Sequence, residues 1–312
     1  MKGFLIPNKI LKPVHFLVVP LLLVFVLVVL IFIISLAKVW IGVNKISPTP
    51  FSISQEAKMP MLKTEFVPAL SATGAIIMDA DSKVVLYAKN PDLRSSTAST
   101  IKIMTALVAL NKFQLQDILT TYKPSNDGSV LGLVQDEKMT FENLLYAMLL
   151  PSANDAALTI AENYPGGEQA FIKAMNDKAK TLELYNTHYA DSAGLADEGD
   201  YTTPFDLARL ASFAMQNSEF RKIVGTKEKI ISDISNTHVY DLNNLNVLLG
   251  EDGVNGVKTG YTEEAGQVLV TSKDESGKTI IIVVMGSADR FADTQILLDL
   301  VSNNLTYLSI HP

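Results

Sequence analysis

Three short motifs follow one another in the chain, and each combines residue types that acyl transfer from a peptide could use. They are Ser99-Thr100-Ile101-Lys102, Ser152-Ala153-Asn154 and Lys258-Thr259-Gly260. Each of the first two arises by chance about once in a chain of this size, and the third on the order of once in ten chains. Their order, spacing and setting therefore carry more weight than any single motif.

The first motif offers a serine nucleophile with a base beside it. Residues three apart on a helix share one face, so Ser99 and Lys102 would be adjacent. A serine hydroxyl needs a base to take its proton, and a lysine serves only as the neutral amine. Burial and a second cation, such as Lys258, would lower the lysine pKa. A solvated surface pair is the alternative, but the apolar run from Ser99 to Phe113 predicts a buried helix.

The second motif follows Pro151, in a predicted break between two helices. Ser152 could relay a proton to the leaving amine, and Asn154 could contact a lysine and the substrate backbone. Asn154 or Asp155 could equally be a simple cap of the next helix. The motif alone does not decide between these interpretations.

The third motif lies on a predicted strand that ends at Tyr261. A strand edge can pair with a peptide substrate, and Lys258 and Thr259 could hold its terminal carboxylate. Gly260 would permit a close backbone approach. The backbone N–H groups of Tyr261 and Ser99 could then form an oxyanion hole. An ordinary glycine turn after a strand is the alternative.

The elements that must position these motifs give an α+β pattern within the broad α/β class. Two strands come first, helices fill the middle, and three strands and a helix over Phe291–Leu305 follow. An antiparallel sheet of five strands, built from both chain ends and carrying an inserted all-helical lobe, accounts for this order. The predicted strands are Gly74–Asp79, Lys83–Ala88, Gly256–Tyr261, Gly266–Thr271 and Lys278–Met285.

Composition excludes several other classes of protein. The chain has no cysteine, which removes disulfides, thiolate nucleophiles and cysteine-ligated zinc. Its four histidines are dispersed and HExxH is absent, so we expect no metal and no cofactor. The first 45 residues hold five lysines and no other charged residue, so the net charge of −7 leaves −12 on the rest. This acidic part argues against a nucleic-acid partner.

The segment from Phe16 to Ala37 contains no charged residue and predicts a transmembrane helix. At ~1.5 Å per residue it would be about 33 Å long, enough to cross a bilayer. We interpret it as a signal anchor between a cytoplasmic N-terminus (1–15) and an extracytoplasmic, proline-containing stalk (38–70) that leads to a catalytic domain (71–312). The protein would then be a single-pass membrane protein. A signal peptide cleaved after Ala37 is the alternative.

The three motifs resemble those of penicillin-binding proteins and serine β-lactamases. Their flanks resemble, more narrowly, the serine D-Ala-D-Ala carboxypeptidases, which are low-molecular-weight penicillin-binding proteins. The similarity extends from about Gly74 to Leu300 and predicts a β-lactamase/transpeptidase-like fold. The segments that carry it are Gly74–Asn90, Leu133–Ala157, Asn186–Leu195 and Val254–Gly266.

This resemblance implies removal of the terminal D-Ala from peptidoglycan stem pentapeptides through an acyl-Ser99 intermediate. It also implies that the membrane is that of a bacterial cell and that penicillins and other β-lactams acylate Ser99. Arg290, in an Arg-Phe pair after the last strand, would help to bind the substrate carboxylate, or is a solvated arginine. The other roles carried over are Lys102 as base, Ser152 and Asn154 in the proton network, and Lys258 and Thr259 in substrate binding.

Three alternatives share some of these features. A D,D-endopeptidase would use the same chemistry on peptidoglycan cross-links, and motifs do not set the substrate. A β-lactamase needs an added base for deacylation, and no Glu-x-x-Leu-Asn sequence follows Ser152. A non-catalytic wall-binding protein would have a degenerate site, whereas all the motif residues are present here.

Overall fold

The computed structural model describes residues 15–44, 57–63, 67–195 and 199–310. The described residues divide into two units, one before residue 45 and the other from Ala57 onward. In the first unit, helix α1 extends over His15–Asn44. Within the described part of the chain, no helix is both long enough and apolar enough to span a membrane.

The second unit contains a five-stranded sheet and three two-stranded ribbons among its described residues. The sheet has the order β3–β2–β10–β9–β8 and is antiparallel throughout, as predicted. The strands are β1 Ala57–Leu62, β2 Gly74–Asp79, β3 Val85–Lys89, β4 Ile118–Thr120, β5 Lys138–Thr140, β6 Glu228–Ser232, β7 Val239–Asn243, β8 Val254–Thr262, β9 Gly266–Glu275, β10 Lys278–Ser287 and β11 Leu305–Ile310.

Strands β2 and β10 lie inside the sheet and are apolar at nearly every position. Successive side chains point to opposite faces of a strand. Accordingly, Ile76 and Met78 belong to one hydrophobic cluster, and Ala75 and Ile77 to another. Both faces of the sheet are therefore buried, which explains the continuous apolar runs.

Helices cover both faces of this sheet. Helix α8 (Arg290–Asn304) packs on one face and α6 (Pro204–Ala214) on the other. The remaining helices are α2 Lys102–Leu110, α3 Phe141–Leu149, α4 Asn154–Glu162, α5 Gly167–Thr181 and α7 Ser218–Val224. The segment inserted between β3 and β8 also holds the ribbons β4–β5 and β6–β7. The prediction of an all-helical lobe is wrong in this respect, because strands of three to five residues give little periodic signal.

Two described elements lie partly or wholly within the predicted stalk over residues 38–70. Helix α1 continues to Asn44, and β1 already belongs to the second unit, which therefore begins before residue 71. Pro60 had suggested an extended linker, yet it lies within β1, which pairs only with β11 in the described sheet. Such edge positions tolerate proline because they leave one side of the strand without ladder bonds. Residues 45–56 lie outside the described residues.

The end of β10 positions the start of the last helix next to the third motif. The pairing of β10 with β9 shifts between Val284 and Ser287, which marks a β-bulge. Gly286 in this bulge has a φ of 60°, and a Cβ there would lie 2.2 Å from Thr73 Oγ1. The Asp289 carboxylate then accepts the first free N–H groups of α8, so Arg290 begins the helix.

We expect Gly286→Ala to destabilise the protein more than Gly277→Ala. Both glycines have a positive φ, where a Cβ costs about 1 kcal/mol. Nothing lies within 4 Å of a Cβ at position 277, so only the change at 286 adds a clash with Thr73. The unfolding free energies from urea denaturation should differ by more than about 1 kcal/mol. Equal losses of unfolding free energy would show that the Thr73 side chain moves away from the added Cβ without cost.

Candidate active site

Ser99 lies in a short 3₁₀ turn, Ala98–Ile101, directly before α2. The predicted helix therefore has a tighter first turn, but the expected pair forms. Lys102 Nζ lies 2.9 Å from Ser99 Oγ. Ala98 and Thr100 are buried on either side, whereas Ser99 is partly exposed. Ser99 is therefore partly open to solvent between two buried neighbours.

Lys102 is fully buried, and three oxygens surround its Nζ. Besides Ser99 Oγ, they are Asn154 Oδ1 at 2.7 Å and the Ala193 carbonyl oxygen at 2.6 Å. Burial lowers the pKa of Lys102 to about 7, against the opposing attraction of Asp191 and Asp155. Near neutral pH, a large share of Lys102 is therefore the uncharged amine that a base must be.

The carbonyl of Ala193 belongs to a turn that Asp191 organises. The Asp191 carboxylate accepts the backbone N–H groups of Ala193, Gly194 and Leu195. Gly194 has a φ of 83°, and a Cβ there would lie 2.2 Å from the Ala98 carbonyl oxygen. Only glycine lets this turn touch the turn before α2. Sequence reasoning gave these residues no role, although an aspartate followed by small residues and glycine is a turn signal.

Asn154 is the member of the second motif that contacts Lys102. Its Nδ2 donates to the Asp127 carbonyl at 2.8 Å, and its backbone N–H donates to the Ser129 carbonyl. These bonds leave Oδ1 directed at the lysine. The capping alternative is wrong for Asn154, because Ala153 occupies the N-cap position of α4 and offers no capping side chain.

Asp155 was the other capping candidate, and it instead holds a distant loop. Its buried carboxylate accepts the backbone N–H groups of Leu131, Gly132 and Leu133. The loop continues from Asp127, whose carbonyl fixes the Asn154 side chain. Asp155 therefore stabilises the loop that positions the Asn154 side chain. These contacts join residues too far apart in the chain to give a local sequence pattern.

Ser152 combines an unusual backbone with an unsatisfied hydroxyl. Its φ is 69°, a region that non-glycine residues rarely occupy. Its Oγ is buried and has no hydrogen-bond partner among the described protein atoms. Strain and an orphan polar group occurring together are typical of functional positions. Ser152 makes no direct hydrogen bond to Lys102 in the described network, unlike Asn154 of the same motif.

Strand β8 carries the third motif along an edge of the central sheet. Lys258 is buried, and its Nζ donates to the Thr259 carbonyl at 3.0 Å. Burial and the positive charges of Lys102 and Arg290 hold the pKa of Lys258 well below its usual range. Three basic side chains therefore influence one another here, and a bound anion would favour their charged forms.

Gly260 lies directly against the nucleophile turn. A Cβ there would approach Ala98 Cβ and Ser99 N to 3.2 Å and Thr100 Cγ2 to 3.3 Å. This contact therefore favours glycine. This contact brings β8 against the turn that carries the Ser99 N–H, and an oxyanion hole formed by the N–H groups of Ser99 and Tyr261 remains a prediction.

Arg290 reaches the third motif from the start of α8. Its Nη1 donates to the Gly260 carbonyl at 2.9 Å, and its Nε is buried without a partner in the described part of the chain. The solvated alternative for Arg290 is therefore wrong. The Tyr261 side chain, in contrast, is exposed and donates from its hydroxyl to Glu263.

Comparison with known proteins agrees with this geometry. Residues 61–289 match a family model described as D-alanyl-D-alanine carboxypeptidase. A Streptomyces sp. (strain K15) protein named D-alanyl-D-alanine carboxypeptidase is 38% identical over 239 residues, covering 70% of this chain and 82% of the relative. An Escherichia coli (strain K12) protein named D-alanyl-D-alanine endopeptidase is 32% identical over 253 residues, covering 78% and 81%.

The fold comparison leads to the same family. The crystal structure of the Streptomyces K15 DD-transpeptidase aligns with a TM-score of 0.71 and 35% identity, covering 76% of this chain and 98% of that one. The resemblance seen in the three motifs and their flanks is confirmed, and so is the α+β fold. This chain belongs to the D-alanyl-D-alanine carboxypeptidase family of serine peptidases, the low-molecular-weight penicillin-binding proteins.

Proposed function

We propose that this protein is a serine-type D-Ala-D-Ala carboxypeptidase that removes the terminal D-alanine from peptidoglycan stem pentapeptides through an acyl-Ser99 intermediate. Family membership supports the reaction class. The observation that carries the proposal is the 2.9 Å contact between Ser99 Oγ and Lys102 Nζ. It joins a partly exposed hydroxyl to a buried amine whose pKa is about 7.

The neutral form of Lys102 is oriented toward Ser99 by its other two partners. An ammonium has three N–H groups, whereas the amine has two and a lone pair. The Asn154 Oδ1 and the Ala193 carbonyl oxygen can only accept, so they take both remaining N–H groups. The lone pair is then left for the hydroxyl hydrogen of Ser99.

Acylation follows from this arrangement. Lys102 takes the hydroxyl proton while Ser99 Oγ attacks the carbonyl carbon of the penultimate D-Ala, and the N–H groups of Ser99 and Tyr261 stabilise the oxyanion. The C–N bond then breaks, and the proton reaches the leaving nitrogen through the Ser152 hydroxyl. Water next attacks the ester, Lys102 takes a proton from it, and Ser99 regains its hydrogen as the acid leaves.

The terminal carboxylate of the substrate belongs beside Lys258, Thr259 and Arg290. Burial, together with the positive charges of Lys102 and Arg290, lowers the pKa of Lys258, and an anion there would offset this effect. The free edge of β8 can pair with the peptide main chain. A penicillin carries both a carboxylate and a reactive amide, so it would occupy the same site and acylate Ser99.

A D,D-endopeptidase is the second candidate, favoured by the similarity to the Escherichia coli relative of that name. The same acyl-serine chemistry would act on a cross-link, where the leaving amine belongs to a neighbouring stem peptide. The two activities differ only in the room that the site gives to the leaving group.

We also propose that residues 16–37 anchor the protein in a bacterial cell membrane, with the catalytic unit outside the cytoplasm. The segment lacks charge and lies within helix α1. The described large apolar side chains between Leu23 and Leu36 are exposed along that helix. A continuous apolar surface of this kind favours a membrane or another partner over water.

Fluorescent penicillin should label the full-length protein covalently, and Ser99→Ala should abolish the label because the nucleophile is lost. Ser218→Ala, which alters an exposed serine at the start of α7, should label like the wild type. Labelling that persists in Ser99→Ala would refute the nucleophile assignment. An unlabelled wild type would indicate a non-catalytic wall-binding protein, and rapid loss of the label a β-lactamase.

The same samples should release D-alanine from a stem pentapeptide ending in D-Ala-D-Ala. Release should require Ser99 and exceed the cleavage of cross-linked dimers. Cleavage of the dimers without release of free D-alanine would establish the endopeptidase instead.

The rate of acylation should rise with pH and level off above about 7. Protonated Lys102 cannot accept the serine proton, so the rate should fall about tenfold per unit below the pKa. Stopped-flow acylation by a β-lactam at a series of pH values measures this. Lys102→Arg should be inactive, because arginine keeps its proton. A rate that stays constant from about pH 5.5 to 8.5 would exclude Lys102 as the base.

In bacterial cells, the full-length protein should stay in the membrane fraction after a high-salt wash and retain its original N-terminus. Deletion of residues 16–37 should release it, because the apolar segment is lost. N-terminal sequencing that starts after Ala37 would establish a cleaved signal peptide. Recovery of the uncleaved chain in the soluble fraction would contradict both versions.

A further inference from the structure

Arg290 contacts the carbonyl of the Gly260–Tyr261 peptide, whose N–H faces the reaction in the proposed function. The Gly260 carbonyl and the Tyr261 N–H belong to one planar trans peptide, so they point in opposite directions. Arg290 Nη1 donates to that carbonyl at 2.9 Å. In the proposed function, the Tyr261 N–H is one of the two donors to the oxyanion.

We propose that Arg290 is a positioning residue of the oxyanion hole, acting through the Gly260–Tyr261 peptide. This inference rests on the proposed function, since it concerns the oxyanion of that acyl transfer. A donor at the carbonyl oxygen polarises the peptide and makes its N–H a stronger donor. The guanidinium is charged, which strengthens the bond, and the rigid peptide transmits its direction to the N–H.

The neighbours of Arg290 hold it in place for this contact. Gln267 Oε1 accepts the backbone N–H of Arg290 at 3.2 Å, and Gln267 Nε2 donates to the Ala288 carbonyl at 2.8 Å. Gln267 is also the partner of Tyr261 in the pairing of β8 with β9. The start of α8 is therefore tied to the strand directly opposite the oxyanion donor.

The neighbouring Asp289 carboxylate is bonded to backbone N–H groups and leaves the positive charge of Arg290 available. The Asp289 carboxylate accepts the backbone N–H groups of Phe291 and Ala292 at the helix start. The Arg290 side chain is half-buried, which keeps its interaction with the Gly260 carbonyl from full screening by water. Its unpartnered Nε leaves room for a second contact, to a substrate carboxylate, in the same complex.

Two acyl donors distinguish the contact of Arg290 with the Gly260 carbonyl from its contact with a substrate carboxylate. They are N-acyl-D-alanine thioesters with the same acyl group, one with thioglycolate as leaving group and one with uncharged thioglycolamide. Acylation of Ser99 in the full-length protein is followed by quenched mixing and mass spectrometry, which yields a rate constant and an apparent dissociation constant. Because the thioglycolamide ester has no terminal carboxylate, it reports on the oxyanion hole alone.

Arg290→Leu should slow acylation by the uncharged thioester about tenfold with an unchanged dissociation constant, less than the 10²–10³ that follows loss of a whole oxyanion donor. The thioglycolate ester should lose more, since the carboxylate contact goes as well. Arg290→Lys, which keeps a cationic donor, should recover part of the rate. Arg221→Leu, at an exposed arginine of α7, should leave both rates unchanged.

An uncharged thioester that reacts with Arg290→Leu at the wild-type rate would overturn the inference and leave Arg290 as a carboxylate contact. A loss that appears in the dissociation constant, with no recovery in Arg290→Lys, would assign it a merely structural role. Arg290→Met, which removes the donor and the charge but keeps an unbranched side chain, is measured in parallel in case the leucine variant does not fold, and an unchanged rate there also overturns the inference. A wild type that reacts with neither thioester would refute the proposed function itself.

Discussion

The site depends on one lysine side chain that is removed from water. Burying an ammonium group is costly unless every donor finds an acceptor. Lys102 meets this requirement with oxygens from Ser99, Asn154 and Ala193, three widely separated parts of the chain. The remaining cost of burial shows as the lowered pKa of Lys102. The burial of Lys102 in this fold is thus also what allows it to act as a base near neutral pH.

Several features at some distance from Lys102 follow from the need to hold those oxygens still. Asp191 fixes the turn that presents one carbonyl, and Asp155 fixes the loop behind Asn154. Gly194 and Gly260 allow two backbone segments to close on the nucleophile turn. The network explains why the surroundings of a single amine nitrogen draw on the middle of the chain as well as on the sheet.

The sequence predicted those features whose signal is local. The apolar runs located the buried strands β2 and β10. The support given by Asp155 was missed because it joins residues 22 to 24 positions apart. The contact between Arg290 and Gly260 spans 30 positions and likewise leaves no periodic trace. Such contacts depend on tertiary packing, and only the resemblance to a family placed Arg290 near the site beforehand.

The central claim is that Lys102 is uncharged in a large share of molecules near neutral pH. An NMR titration of protein labelled with ¹³C at the lysine Cε positions measures this pKa directly, with the Lys102 signal assigned by its absence in Lys102→Arg. We expect a midpoint of about 7. A midpoint near the ordinary lysine value of 10.5 would contradict it.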